Sequence, residues 1–115
     1  MIKITYKPDD YSISFKGHAE GYGDGELDIG NRIICASVST IFYNLCAMLR
    51  EYPSEAFSMP FVMKEAKCKN GISSIKAVPA KGYESLINHD FYYAMVGFET
   101  VAGNFPDAIQ IVVKR

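Results

Sequence analysis

The run Ile33-Ile34-Cys35-Ala36-Ser37-Val38-Ser39-Thr40-Ile41-Phe42-Tyr43-Asn44-Leu45-Cys46-Ala47-Met48-Leu49 decides the fold, because it carries no charge. Its only bulky polar side chains are Tyr43 and Asn44. Cys35, Val38, Phe42, Cys46 and Leu49 share a stripe at helical spacing. A helix apolar on nearly all sides has to be covered on nearly all sides. The run is short for a membrane span and holds Ser37, Ser39, Thr40 and Asn44. The sequence therefore predicts a central helix packed on a sheet, with a second subunit as a further cover. Asn31 is a plausible N-cap for it, and Asp28 is the other candidate.

Upstream, Ile2, Ile4 and Tyr6 alternate with Lys3, Thr5 and Lys7, and Tyr11, Ile13 and Phe15 alternate with Ser12, Ser14 and Lys16. Period two is the mark of half-buried strands, and Pro8-Asp9-Asp10 is turn chemistry, so a hairpin ending near Gly17-His18 is expected. Downstream, Phe61–Cys68 and Ile72–Val78 read as strands joined at Lys69-Asn70-Gly71. After Pro79, Ile87, Phe91, Ala94, Met95, Phe98, Val101 and Ala102 recur at three- and four-residue steps, which gives a second helix closed by Gly103-Asn104. Ile109, Ile111 and Val113 make a last strand. The expected fold is α/β of the α+β type: residues 1–115 as one domain in the order β-β-α-β-β-α-β, with a mainly antiparallel sheet.

Composition narrows the function. Twelve Lys+Arg against thirteen Asp+Glu leave a formal charge of −1, which argues against general nucleic-acid binding. The first residues lack an apolar signal core, so a cytoplasmic protein is expected, with no membrane partner. Cys35, Cys46 and Cys68 form no Cys-x-x-Cys unit, and His18 and His89 lie far apart, so neither a disulfide framework nor a zinc site is expected. The acids Glu20, Asp24, Glu26 and Asp28 do not follow the calcium-loop pattern. No metal and no cofactor is predicted.

Cys35 is the candidate nucleophile. The sequence places it about one turn inside the central helix, where unsatisfied N–H groups and the helix dipole favour an anion. The thiolate is the nucleophilic form, and the amides of Cys35 and Ala36 are candidate oxyanion donors. His18, at a strand end across a glycine-rich loop, is the candidate base of a Cys-His dyad. Ser39 stands one turn beyond Cys35, although a helical serine often bonds back to a carbonyl. The competing reading makes Cys35 a core residue, since free cysteine is among the most buried types. Cys46 is expected in the core, Cys68 as a bystander, and His89 in a solvated or capping role.

Phe15-Lys16-Gly17-His18-Ala19, then a glycine-rich loop, then Ile33-Ile34-Cys35-Ala36-Ser37-Val38-Ser39 resembles the signature of the Prp family, the bacterial ribosomal-processing cysteine proteases. That family is built around Gly-His-Ala followed by Ile-Val-Cys-Ala-x-Val-Ser. The segment from Gly97-Phe98 to Ala102-Gly103-Asn104-Phe105-Pro106 is similar to its closing pattern. The resemblance implies a homodimeric cysteine endopeptidase that removes a short N-terminal extension from a large-subunit ribosomal protein, cutting after a paired-Phe motif. It puts His18 on the catalytic histidine, Cys35 on the nucleophile and Ser39 on the serine one turn later. Gly21, Tyr22, Gly23, Asp24, Gly25 and Asp28 would belong to a loop that folds over the peptide.

Two features depart from that pattern. The stretch between His18 and Cys35 is longer, within Glu20 to Asn31, and Arg32 stands where the family tends to have Asp. They leave two alternatives open. One is a diverged protease acting on another protein, such as one from a mobile element. The other is a non-catalytic homologue that binds a ribosomal or assembly protein.

Overall fold

Alternation of large apolar residues (Ile, Tyr, Phe) with polar ones builds β1 (Ile2–Lys7) and β2 (Ser12–Gly17), and the uncharged run builds α1 (Ile29–Arg50). β3 (Val62–Lys64), β4 (Ile72–Lys76), α2 (Glu84–Asn104) and β5 (Ile109–Val113) complete the order β-β-α-β-β-α-β. The computed structural model describes residues 1–17, 29–66 and 71–115. The strands form one sheet in the order β3-β4-β2-β1-β5, antiparallel throughout except for the parallel pair of β1 and β5. The chain is thus a single α+β domain with two helices and a mixed, mostly antiparallel sheet.

One sheet face is apolar and the other is wet. Ile2, Ile4, Ile13, Ile75 and Ile109 are buried, while Lys3, Lys16, Lys76 and Gln110 beside them are exposed. The buried side meets Ile34, Val38, Phe42, Leu45 and Leu49 of α1 and Ile87, Phe91 and Phe98 of α2 in one core. Burial of this stripe is the main stabilising term, at about 1.5–3 kcal/mol for each large aliphatic side chain. By length and composition α1 is apolar enough to cross a membrane, but its stripe is spent on the sheet and on α2. Where α1 and α2 meet, Gly97 lies so close to Ile41 that an added Cβ would stand 3.2 Å from its side chain.

Several expected boundaries move. Helix α1 begins at Ile29, so Asn31 lies inside it and is not its N-cap; Asp28 lies outside the described residues. Among the described residues of the expected strand Phe61–Cys68, β3 covers Val62–Lys64; Lys67 and Cys68, and the turn residues Lys69 and Asn70, lie outside the described residues. Gly103 is helical and has no positive φ. Instead Asn104 Nδ2 donates to the Thr100 carbonyl at 3.1 Å, and Phe105 N–H to Val101, so side-chain and main-chain bonds close α2 without a left-handed glycine.

Candidate active site around Cys35

Four strand ends and one helix face converge at one end of the sheet. Residues Ile2, Phe15, Lys16 and Gly17 arrive from β1 and β2, Glu65 and Ala66 follow β3, and Gly71 and Ser73 open β4. Opposite them α1 presents Cys35, Ser39 and Tyr43 at steps of four, a single face of the helix. These residues line a cavity of about 200 Å³. Phe42 packs below, edge-on to Phe15 at 5.1 Å between ring centroids. Cys35 is half-buried, in contact with the core and lining the cavity at once.

The cavity wall is braced by polar contacts. The buried Ser73 accepts a hydrogen bond from the Ala66 N–H at 3.0 Å through its Oγ, tying the segment after β3 to β4. Tyr43 is hydrogen-bonded to Glu65; desolvation first, and then this carboxylate, raise its hydroxyl above the ordinary tyrosine range. The Ser37 and Thr40 hydroxyls donate back to the Ile33 and Ala36 carbonyls at 2.8 Å, the usual fate of such side chains in a helix. Ser39 instead faces the cavity with Cys35.

Gly17 has the least freedom. Its φ of +103° is left-handed backbone, and a Cβ there would run into the Met1 carbonyl oxygen. Only glycine meets both conditions, and it turns the chain at the cavity wall immediately before position 18.

The structure places some of the residues singled out in the sequence. Cys35 and Ser39 share one cavity, and Gly17, the neighbour of His18 in the chain, lines it too. His18, Gly21, Tyr22, Gly23, Asp24, Gly25 and Asp28 lie outside the described residues, as does Cys68. The expected one-turn depth of Cys35 is corrected: it lies six residues beyond Ile29. A helix dipole acts mainly on its first turn, and at that depth the amides of Cys35 and Ala36 bond to the carbonyls of Asn31 and Arg32 within the helix. They are not open oxyanion donors, and Ala36 itself is exposed and does not line the cavity. Cys46 is in the core at 1 % exposure. His89 is exposed, edge-on to Tyr93 at 5.1 Å.

Sequence reasoning passed over Tyr43, Glu65 and Ser73. Tyr43 was within reach, two helical steps of four beyond Cys35. Glu65 and Ser73 carry no local signal, because the β3–β4 pairing alone delivers them.

No protein-family model matches the chain, and no curated protein matches it. Solved structures do. The ribosomal processing protease Prp from S. aureus, with a covalently linked product peptide, superposes at a TM-score of 0.71 and 15% identity, over 99% of this chain and 100% of that one. The same protease with a substrate peptide gives 0.72 and 16%, over 99% and 100%. SMU.848 from Streptococcus mutans gives 0.69 and 19%, over 97% of this chain and 94% of that one. The chain is similar to these proteins in fold.

Proposed function

We propose that this chain is a cysteine endopeptidase of the Prp type, with Cys35 as nucleophile and His18 as base, that trims a short N-terminal extension from a ribosomal protein. The observation that carries the reading is the shared cavity of Cys35, Ser39 and Gly17. The fold likeness to a protease solved with substrate and product peptides supports it. In the first step the Cys35 thiol gives its proton to His18 as Sγ attacks the scissile carbonyl. The peptide C–N bond breaks, the amine leaves with that proton, and a thioester remains. His18 then takes a proton from water, which attacks the thioester, and the thiol is restored. Six residues inside α1, Cys35 draws little from the helix end, so activation falls to His18. The residues from 20 to 28 would cover the bound peptide, and Glu65 would meet it at the cavity wall.

A cytoplasmic homodimer is part of the same proposal. Tyr92, Tyr93 and Val96 of α2 are exposed, and Tyr93 borders a shallow groove with Ile41, Met48 and Gly97. An apolar helix face of this kind suits a second copy.

The deciding experiment follows iodoacetamide alkylation against pH, with the label located by mass spectrometry. Fast labelling of Cys35 well below the ordinary thiol range, slowed in His18→Ala, is the expected result. Slow labelling that is equal in both proteins would overturn the dyad. That outcome would favour the second reading, a non-catalytic homologue that binds a ribosomal or assembly protein, for which the depth of Cys35 in α1 already speaks.

A further inference from the structure

The near-neutral total charge conceals a segregation that the sheet creates. Odd positions of β1 and even positions of β2, β3, β4 and β5 point away from the helices. Lys3, Lys7, Lys16, Lys64 and Lys76 all stand there, and all are exposed. No Asp or Glu occupies any of the five strands. The described acids lie in turns, connections and α2, among them Asp9 and Asp10 in the turn between β1 and β2 and Glu65 just after β3. Between the lysines stand the hydroxyls of Thr5, Ser12, Ser14 and Ser74.

The register sharpens this. Lys3 is directly opposite Lys16, and Lys7 and Lys76 flank Ser12 in another row. Like charges placed directly opposite destabilise a sheet, so the fold carries an electrostatic cost that a bound anion would remove. With strands about 4.8 Å apart and a rise of about 3.3 Å per residue, Lys7 and Lys76 are anchored about 10 Å apart, and Lys3 and Lys7 about 13 Å. That is an extended array of cations and suits an extended array of anions, not a single phosphate.

We propose that this open sheet face docks double-helical RNA through its sugar–phosphate backbone. Among the described residues no outward strand position is aromatic, so they form no stacking platform of the kind single strands use. Neither described helix lies on this face to enter the major groove of DNA, since both pack on the other. A broad face with rows of hydroxyls between cations fits the wide, shallow minor groove of A-form RNA, where 2′-hydroxyls and phosphates are displayed. The inference departs from the expectation drawn from total charge, because a face binds by its local charge. It does not rest on the protease reading.

The test is fluorescence anisotropy with a labelled RNA duplex of about 20 base pairs, which spans a protein face of this size, and a DNA duplex of the same sequence. Four or five phosphate contacts predict that the full chain loses affinity on the order of a hundredfold between about 50 and 200 mM salt. The triple variant Lys3→Gln/Lys7→Gln/Lys76→Gln should bind at least tenfold more weakly at low salt, with a salt slope shallower by about 2–3. Lys81→Gln, on the connection before α2, should track the unmodified chain, and thermal melts should show the triple variant folded. Salt-independent or absent RNA binding, a triple variant that binds like the unmodified chain, or equal affinity for the DNA duplex would each overturn the proposal.

Discussion

Gly17 lies against Met1: at φ +103° its Cα faces the Met1 carbonyl oxygen, in the space a side chain would need. The same residue pairs with Ile2 in the β1–β2 ladder and lines the cavity of Cys35. Gly17→Ala should therefore destabilise the fold by on the order of 2 kcal/mol or more, through backbone strain and the displaced carbonyl together. Urea unfolding would measure it. Gly82→Ala is the control for strain alone, since Gly82 has φ +94° with open space around it.

Cys35 and Cys46 should separate cleanly in their behaviour. Cys35→Ala should abolish cleavage of a peptide spanning the processed extension while changing stability by less than about 0.5 kcal/mol. Cys46→Ala should keep cleavage and lose about 1 kcal/mol, because its site is closed. In the native protein Cys46 should also resist alkylation until denaturant is added. A Cys35→Ala protein with full activity would refute the nucleophile.

Phe42 ties the cavity floor to the core through its edge-on contact with Phe15. Phe42→Ala should cost about 3–5 kcal/mol, the range for a fully buried phenylalanine. Phe42→Leu should recover most of the loss in a chemical denaturation series. An unchanged midpoint for Phe42→Ala would contradict the packing described above.

Tyr52 offers a pH signature. Burial first, and its hydrogen bond with Asp90 second, push its hydroxyl up to about 12 from the ordinary tyrosine value of 10.0. A proton held more tightly in the folded state stabilises it below the unfolded pKa, so this contribution is present up to about pH 10 and is lost as pH rises from 10 toward 12. Tyr52→Phe should flatten the decline of stability in that window. Its midpoint in urea, followed from pH 9 to 12 beside the unmodified chain, gives the comparison.

The elements were legible because each announces its own period. Alternation in residues 2–7 and 12–17 gave the hairpin, and the uncharged run of 33–49 gave α1. What a local pattern cannot reveal is a partner brought from elsewhere. Glu65 reaches Tyr43 only because β3 pairs with β4, and the five outward lysines form one face only once the strands are in register. The start of α1 was misjudged for a related reason. Asn31 looks like a cap in isolation, but the helix continues back to Ile29. The left-handed φ of Gly17 likewise shows itself only against Met1.

Ile2 belongs to two ladders: it pairs with Gly17 on one side and with Ile109 on the other, and its N–H is bonded to the Ala108 carbonyl at 2.7 Å. It also lines the cavity of Cys35. One wall of that cavity therefore waits on a strand more than a hundred positions away, and contacts so distant in sequence are slow to form. During synthesis the hairpin can emerge early, but Ile2 lacks its outer neighbour until residues 108–113 have left the ribosome. During synthesis, competence is thus tied to strand order: the wall that Ile2 lends to the cavity of Cys35 gains its outer support only with the last strand.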